Sequence, residues 1–231
     1  MYPNADPESL VYGQYLSLDR VLTSQQPRSG DARSDETARS EHFFIVCHQA
    51  VELWLKQLLL ELAAVECSLQ RCQPERAVPA IGRAAGVAAA LVQQLAMFQH
   101  LSAAEFASFR PLLGTASGAQ SEQFADLERV CGTVSGESGI ERVLEERCRG
   151  DLGSLDLTAA CTHALCQCAV GLLLVSDRVS AWREQHVRQV SRLIDNARGT
   201  GGTAGATYLS GRRERRCFPR LVALRRSLQQ A

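Results

Sequence analysis

The chain is almost without lysine. Lys56 is the only one among 25 basic residues, so arginine carries nearly all of the positive charge. It also lacks any excess of charge, because 25 acidic residues match the 25 basic ones. A balanced chain provides no basic field for a nucleic acid or an anionic membrane surface, so neither is expected as a partner. Long apolar runs are missing too. The longest, Cys168–Val175, falls far short of the roughly 20 residues that cross a bilayer as a helix. The N-terminal MYPNADPESLVYG is polar and has no apolar leader core, which makes the cytoplasm the expected location. No apolar–polar alternation of any length occurs, and this argues against a sheet.

Cysteine is plentiful, with nine residues. The number is odd and the chain is not small, so reduced thiols are the expectation rather than a disulfide framework. The group Cys161, His163, Cys166 and Cys168 raises zinc. A second CxxC-type pair is missing, and the segment reads as apolar helix, where cysteine acts as a small hydrophobe.

What the chain does have is helical periodicity. Its 231 residues suit one domain, 1–231, with a sizeable core. An N-terminal helix is expected over 9–24, with Tyr12, Tyr15 and Leu16 on one face. Residues 25–40 are polar and carry Pro27 and Gly30, a mobile loop. Ser40 is the expected N-cap of a long helix, with Glu41 in its first turn. That helix is apolar over so much of its circumference that it should be central. A helical pattern runs from about Glu75 to His100, with Pro79 in its first turn. Ser102 and Glu105 form a capping box for SAAEFASFRPLLG. Phe106 and Arg110 lie one turn apart on the same face. Ser117 and Gly118 mark a turn before SEQFADLERVCG, and 132–139 is a Gly/Ser-rich connector. Helices are expected again at 140–149, from about 155 to 195, and at the C-terminus. The fold class is all-α, packed as a helical bundle.

The most informative stretch is 182–209, WREQHVRQVSRLIDNARGTGGTAGATYL. Val175, Val179, Trp182, His186, Val190 and Leu193 recur at steps of three and four. His186 therefore sits inside an apolar stripe, with Arg183 on its flank or turned away. Desolvated imidazole needs a partner. A core histidine with a satisfied hydrogen bond and a metal ligand both fit. The glycine loop that follows is not a phosphate cradle of the usual kind, because it comes after a helix rather than between strand and helix.

Four ordered blocks, YGQYLSLDRVLTSQQP, EHFFIVCHQAVELWLKQLLLEL, FRPLLGTASGAQSEQF, and WREQHVRQVSRLI with GTGGTAG and YL, resemble the tryptophan 2,3-dioxygenase superfamily of haem-dependent aromatic oxygenases. They cover roughly half the chain. The resemblance implies a helical bundle with haem b between helices and dioxygen as co-substrate. It implies His186 as the axial iron ligand, with Trp182, Ser117, Gly118 and Gly201 also around the haem. Arg110 matches an arginine that pairs with the substrate carboxylate, a task suited to a planar guanidinium. Phe106 matches an aromatic wall of the pocket, and Thr200 a contact to the amino-acid head group. Tyr12, Tyr15 and Leu16 match a helix that completes a neighbouring subunit's pocket, which implies a homo-oligomer, a dimer or tetramer.

Departures accompany the match. The family's HDE run aligns with Arg39, Ser40 and Glu41, so its histidine is absent; Arg33, Ser34, Arg39 and Ser40 are the candidates to replace it. SGAQSEQFA stands for SGFQSxQFR. The stretch from Gly132 to Ala160 is short. The expectation is a specialised member resembling the maremycin-pathway enzyme that turns β-methyltryptophan into a 2-oxindole. Arg39, Ser40 and Ser117 are its candidate catalytic residues, and an external reductant or peroxide is needed. Ring-opening dioxygenation, a tyrosine-type hydroxylase and a haem sensor are the competing expectations.

Overall fold

The computed structural model describes residues 11–158, 160–194, 211 and 215–230. Among these residues every regular element is helical: α1 (Tyr12–Tyr15), α2 (Leu18–Leu22), α3 (Glu36–Gln70), α4 (Pro74–Ala96), α5 (Ala103–Phe109), α6 (Glu122–Val130), α7 (Gly139–Arg147), α8 (Ala164–Ile194) and α9 (Pro219–Gln230). The fold is all-α, as the periodicity predicts.

The central helix is α4, not α3. α4 packs against both α3 and α8 and lies between them. Its buried residues include Ala77, Ala80, Ala84, Ala85 and Ala88 beside Ile81, Val87, Leu91 and Leu95, and the alanines let two neighbours approach at once. On the α8 side the approach is closest at Gly171, where an added Cβ would stand 2.4 Å from Cγ2 of Ile81. Only glycine fits there. By length and composition α3, α4 and α8 are each apolar enough to cross a membrane, a property hidden in sequence because charges interrupt their apolar runs. In α4 and α8 about half of the apolar window is buried in the shared core (44% and 50%), but in α3 only 22%. Val46, Leu53, Trp54 and Leu60 of α3 stay exposed.

Several boundaries move for local reasons. The N-terminal segment is two short helices, broken at Ser17, which takes a left-handed conformation (φ 50°). α3 begins at Glu36 because the Asp35 carboxylate accepts the Ala38 N–H at 2.8 Å. Ser40 is therefore inside the helix rather than its cap. The preceding loop is tied down. Buried Glu41 accepts from the N–H and the hydroxyl of Ser29 at 2.8 and 2.6 Å. Burial raises its pKa, but the Ser29 and Arg28 contacts outweigh that and the net shift is downward. Gln25 and Gln49 bond at 2.6 Å on the same side. α4 starts at Pro74, so Pro79 lies past its first turn. The helix expected from 155 starts only at Ala164. Asp156 accepts the Thr158 N–H at 2.8 Å, a local bond that competes with helix formation. The Ser102/Glu105 capping box is present in full, at 2.7 and 3.1 Å.

The C-terminal helix is fastened from two directions. Ser176 of α8 donates to the Cys217 carbonyl at 2.7 Å, and Arg183 donates to the Arg215 carbonyl. Arg183 is thus buried against the backbone, not turned outward. Glu141 of α7, fully buried, accepts the Leu221 N–H at 2.9 Å and caps α9.

Candidate functional site

Because α3 and α8 pack on α4, a groove is left between them, and it widens near the end of α4 into a cavity of about 670 Å³. That is within the size range of small-molecule and cofactor sites. α3 contributes Phe44, His48, Val51 and Glu52 to one wall; α8 contributes Trp182, His186, Val190 and Leu193 to the other. Leu95 and Phe98 form the floor. α5 closes one end with Phe106 and Arg110, and the turn at Ser117–Gln120 with Phe124 of α6 covers the rest.

His186 is held by stacking. Its ring lies 5.2 Å from that of Trp182 at 20°, and Trp182 in turn stacks on Phe124 at 5.0 Å and 22°. The side chain faces the cavity yet is enclosed by protein. Desolvation, followed by the charge of His48, lowers its pKa to about 4, so it is neutral near pH 7. No hydrogen bond to its ring occurs among the described residues. Neutral imidazole with a free lone pair is the ligand form. The Trp182 indole N–H in the same wall is buried and likewise has no partner among the described residues.

His48 enters from the opposite wall. Its Nδ1 lies 2.8 Å from the Phe44 carbonyl oxygen. A carbonyl only accepts, so Nδ1 carries the proton and Nε2 the lone pair. The ring packs against Phe44 at 4.1 Å and Phe98 at 5.0 Å. Desolvation lowers its pKa against the opposing pull of the Phe44 carbonyl and Glu52. Glu52, one turn on, accepts from Gln123 at 2.6 Å.

At the α5 end, Phe44, Phe106 and Phe109 pack edge and face within 5.5 Å of one another. Arg110 follows as α5 runs into a 3-10 turn, and is half-buried at the cavity rim. Ser117 caps its turn, its hydroxyl accepting from the Ala119 N–H at 3.3 Å while its own N–H donates to Gln120 at 3.1 Å.

Of the residues expected at the site, the structure brings His186, Trp182, Phe106, Arg110, Ser117 and Gly118 to one cavity. It does not bring Arg39 or Ser40 there. Arg39 is exposed, and Ser40 is buried with its hydroxyl on Glu105 at 3.3 Å. Tyr12, Tyr15 and Leu16 are exposed and away from this chain's cavity. Thr200 and Gly201 lie outside the described residues. His48 and Phe124 also line the cavity, although the spacing of His48 in sequence marks it only as a core position and nothing marks Phe124. Their partners stand far away in the chain, so helical spacing alone could not flag them.

The residues present fit haem. A largely apolar cavity, one neutral imidazole without a protein hydrogen bond, and an unpartnered indole N–H in the same wall match a site for an aromatic macrocycle that needs one axial nitrogen. The Cys161–Cys168 group does not offer an alternative metal centre among the described residues. Cys168 donates to the Pro74 carbonyl at 3.6 Å, and burial pushes its thiol up to about 12.

Comparison with known proteins agrees with this geometry. The family model for tryptophan 2,3-dioxygenase matches residues 3–143. A tryptophan 2,3-dioxygenase of Anaeromyxobacter sp. (strain K) is 30% identical over 270 residues, covering 98% of this chain and 99% of the relative. Those of Pseudomonas fluorescens and Caulobacter vibrioides are also 30% identical, over 96% of this chain and 92% and 99% of their own. The first alignment is longer than the 231-residue chain, so the relative carries segments that this chain lacks. With the cavity, the histidine and the end-to-end match in agreement, the chain belongs to the tryptophan 2,3-dioxygenase family.

Proposed function

We propose that the chain is a haem b-dependent oxygenase acting at indole C2 and C3 of L-tryptophan or a ring- or β-substituted tryptophan. One observation carries this: His186 of α8 and the Phe106–Arg110 pair of α5 line the same cavity. Haem, when bound through His186, supplies the iron at which dioxygen becomes reactive. The chain's own residues do the rest. Arg110 receives the substrate carboxylate through two parallel hydrogen bonds, and Thr200 adds a head-group contact, as the family resemblance implies. Phe44 and Phe106 hold the indole plane and keep water out. Ser117, whose hydroxyl accepts one bond, keeps its own proton available as a donor to the oxygen side.

Single-atom insertion, giving a 2-oxindole, is the preferred outcome. Arg39 and Ser40 stand where the family motif has histidine and aspartate, and neither lines the cavity. The second oxygen atom then leaves as water, taking two electrons and two protons from an external reductant; with peroxide as oxidant no reductant is needed. The printed names of the relatives favour a second outcome, in which both atoms enter and the ring opens to an N-formylkynurenine. Product mass after incubation with ¹⁸O₂ separates them. One labelled atom in a closed ring supports the first, and two in a ring-opened product overturn it.

The same chain is proposed to assemble with itself as a dimer or tetramer in the cytoplasm. Tyr12 and Tyr15 are 73% and 74% exposed, and Val11 and Leu22 are exposed beside them. On α3, Val46, Leu53 and Leu60 repeat every seven residues with Trp54 alongside, an uncovered seam of the kind helices bury against one another. Sedimentation of the haem-loaded protein tests this, and a monomer at micromolar concentration would contradict it.

A further inference from the structure

We propose that Ala119 sets the size of substrate the cavity takes, and that the space beside its methyl group accepts an apolar substituent, methyl- or halogen-sized, on the ring of an indole amino acid. This rests on the oxygenase reading above and narrows it, because that reading admits tryptophan with or without a substituent, on the ring or on the β-carbon.

The cavity wall is uneven. Around most of it the side chains are large, Phe44, Phe98, Phe106 and Trp182 among them. Where residues 116–125 cover it, the lining includes Gly118, Ala119 and Ala125, which offer a methyl group or less. A Cβ built on Gly118 would meet nothing within 4 Å, and Ala119 and Ala125 are exposed, so the space beside them is open rather than filled by a neighbour. The segment SGAQSEQFA carries these two alanines where the family pattern SGFQSxQFR has a phenylalanine and an arginine. One change removes a ring from the cover and the other removes a charge. Gln120 and Ser121, the polar residues between them, have their side chains engaged by the Ser117 and Phe124 N–H groups. The buried Trp182 N–H, without a partner among the described residues, independently marks the same cavity as built for a ligand.

The head group decides which part of the substrate reaches that space. With the carboxylate on Arg110 at the α5 end, the β-carbon stays beside the anchor, and the benzo edge of the indole extends furthest under the cover. The cover is not a loose flap. Ser117 accepts from the Ala119 N–H at 3.3 Å and donates its own N–H to Gln120 at 3.1 Å. The N–H groups of Gln120 and Ser121 return to the carbonyls of Ser117 and Gly118 at 3.0 and 3.2 Å. With the backbone held this way, the side chain at 119 decides how much room remains. An apolar pocket separates ligands that differ by one methylene by about 10–200-fold, and a phenyl ring in place of the Ala119 methyl takes more space than that.

The test is spectral titration of the haem-loaded full chain with tryptophan, β-methyltryptophan and 5-, 6- and 7-methyltryptophan. The readout is each dissociation constant divided by that of tryptophan for the same protein. Wild type is expected to bind at least one ring-methylated ligand no more weakly than tryptophan. Ala119→Phe should weaken that ligand relative to tryptophan by about 10-fold or more, and Ala119→Ser, which stays small, should keep the wild-type ratio. If Ala119→Phe fails to take up haem, Ala119→Leu carries the same expectation; failure of both would make Ala119 part of the haem seat and overturn the inference. Ratios unchanged in the Phe and Leu variants overturn it, as does a wild type that rejects every ring-methylated ligand. A loss confined to β-methyltryptophan also overturns it, because the open space would then lie at the head-group end. A wild type whose spectrum responds to no indole amino acid at all brings down the oxygenase reading itself, and the size limit with it.

Discussion

The ring of His186 rests on the indole of Trp182, 5.2 Å away and 20° from parallel, one helical turn back along α8. Phe124 of α6 completes the stack from the other side of Trp182. Stacking is the side-chain contact that holds this imidazole among the described residues. The stack orients it, while burial keeps it neutral.

Trp182 is therefore expected to control how firmly the site holds its cofactor. Trp182→Phe keeps an aromatic surface under the ring, and should retain haem with a small change in its absorption. Trp182→Ala leaves a cavity, lowering stability by about 3–5 kcal/mol, and frees the imidazole. Competition with apomyoglobin for haem reads the difference; equal retention by the Phe and Ala variants would show that the stack does not position His186.

Arg110 stands at the rim, where α5 ends, and its proposed partner is a carboxylate. Losing a bidentate charge-assisted contact costs about 3 kcal/mol, or on the order of 100-fold in affinity. Arg110→Leu should raise the dissociation constant of tryptophan by that order, read from the perturbation of the haem spectrum. Tryptamine, which has no carboxylate, should bind wild type and variant alike. A tryptamine affinity that falls with the tryptophan affinity would make Arg110 a structural residue.

Much of this was legible in the sequence, and the limits have physical causes. The helical spacing of Trp182, His186 and Val190, and of Phe106 and Arg110, placed those side chains on inward faces, and they do line one cavity. The position of α3 was not legible. Its apolar circumference suggests burial on every side, but Val46, Leu53 and Leu60 remain exposed, and the alanine-bearing face of α4 takes the centre. Ser40 looks like a cap because it precedes a run of hydrophobes. Asp35 caps the helix instead, and the Ser40 partner, Glu105, is 65 residues away. His48 reads as one more core position for the same reason: what gives it meaning is α8, far along the chain.

Glu141 predicts a pH dependence of stability. In the unfolded chain its carboxyl ionises near 4.5, and burial in the fold raises this to about 7, against the hydrogen bonds from Leu221 and Arg220. The raised value means that the contribution is present below pH 4.5 and is lost as pH rises toward 7, by on the order of 3 kcal/mol. Glu141→Gln keeps an oxygen for the Leu221 N–H and removes the charge. Its melting temperature should gain on wild type as pH goes from 5 to 8; a difference independent of pH would contradict the assignment.

Gly171 predicts a steric limit at the junction of α4 and α8. Gly171→Ala drives a methyl to within 2.4 Å of Ile81 Cγ2, and overpacking of this kind costs about 1–3 kcal/mol. Ile81→Leu removes the β-branch and should recover part of the loss in the double variant. Denaturant unfolding of the three variants gives the coupling, and strictly additive effects would mean that the two residues do not meet.

The central claim is that one cavity holds haem on His186, and the absorption spectrum during titration of haem into the full-length protein tests it most directly. The account predicts saturation at one haem per chain, a Soret band that shifts when tryptophan is added, and loss of the band, or a large displacement of it, in His186→Ala. A protein that binds no haem, or a His186→Ala variant whose spectrum matches wild type, would contradict it.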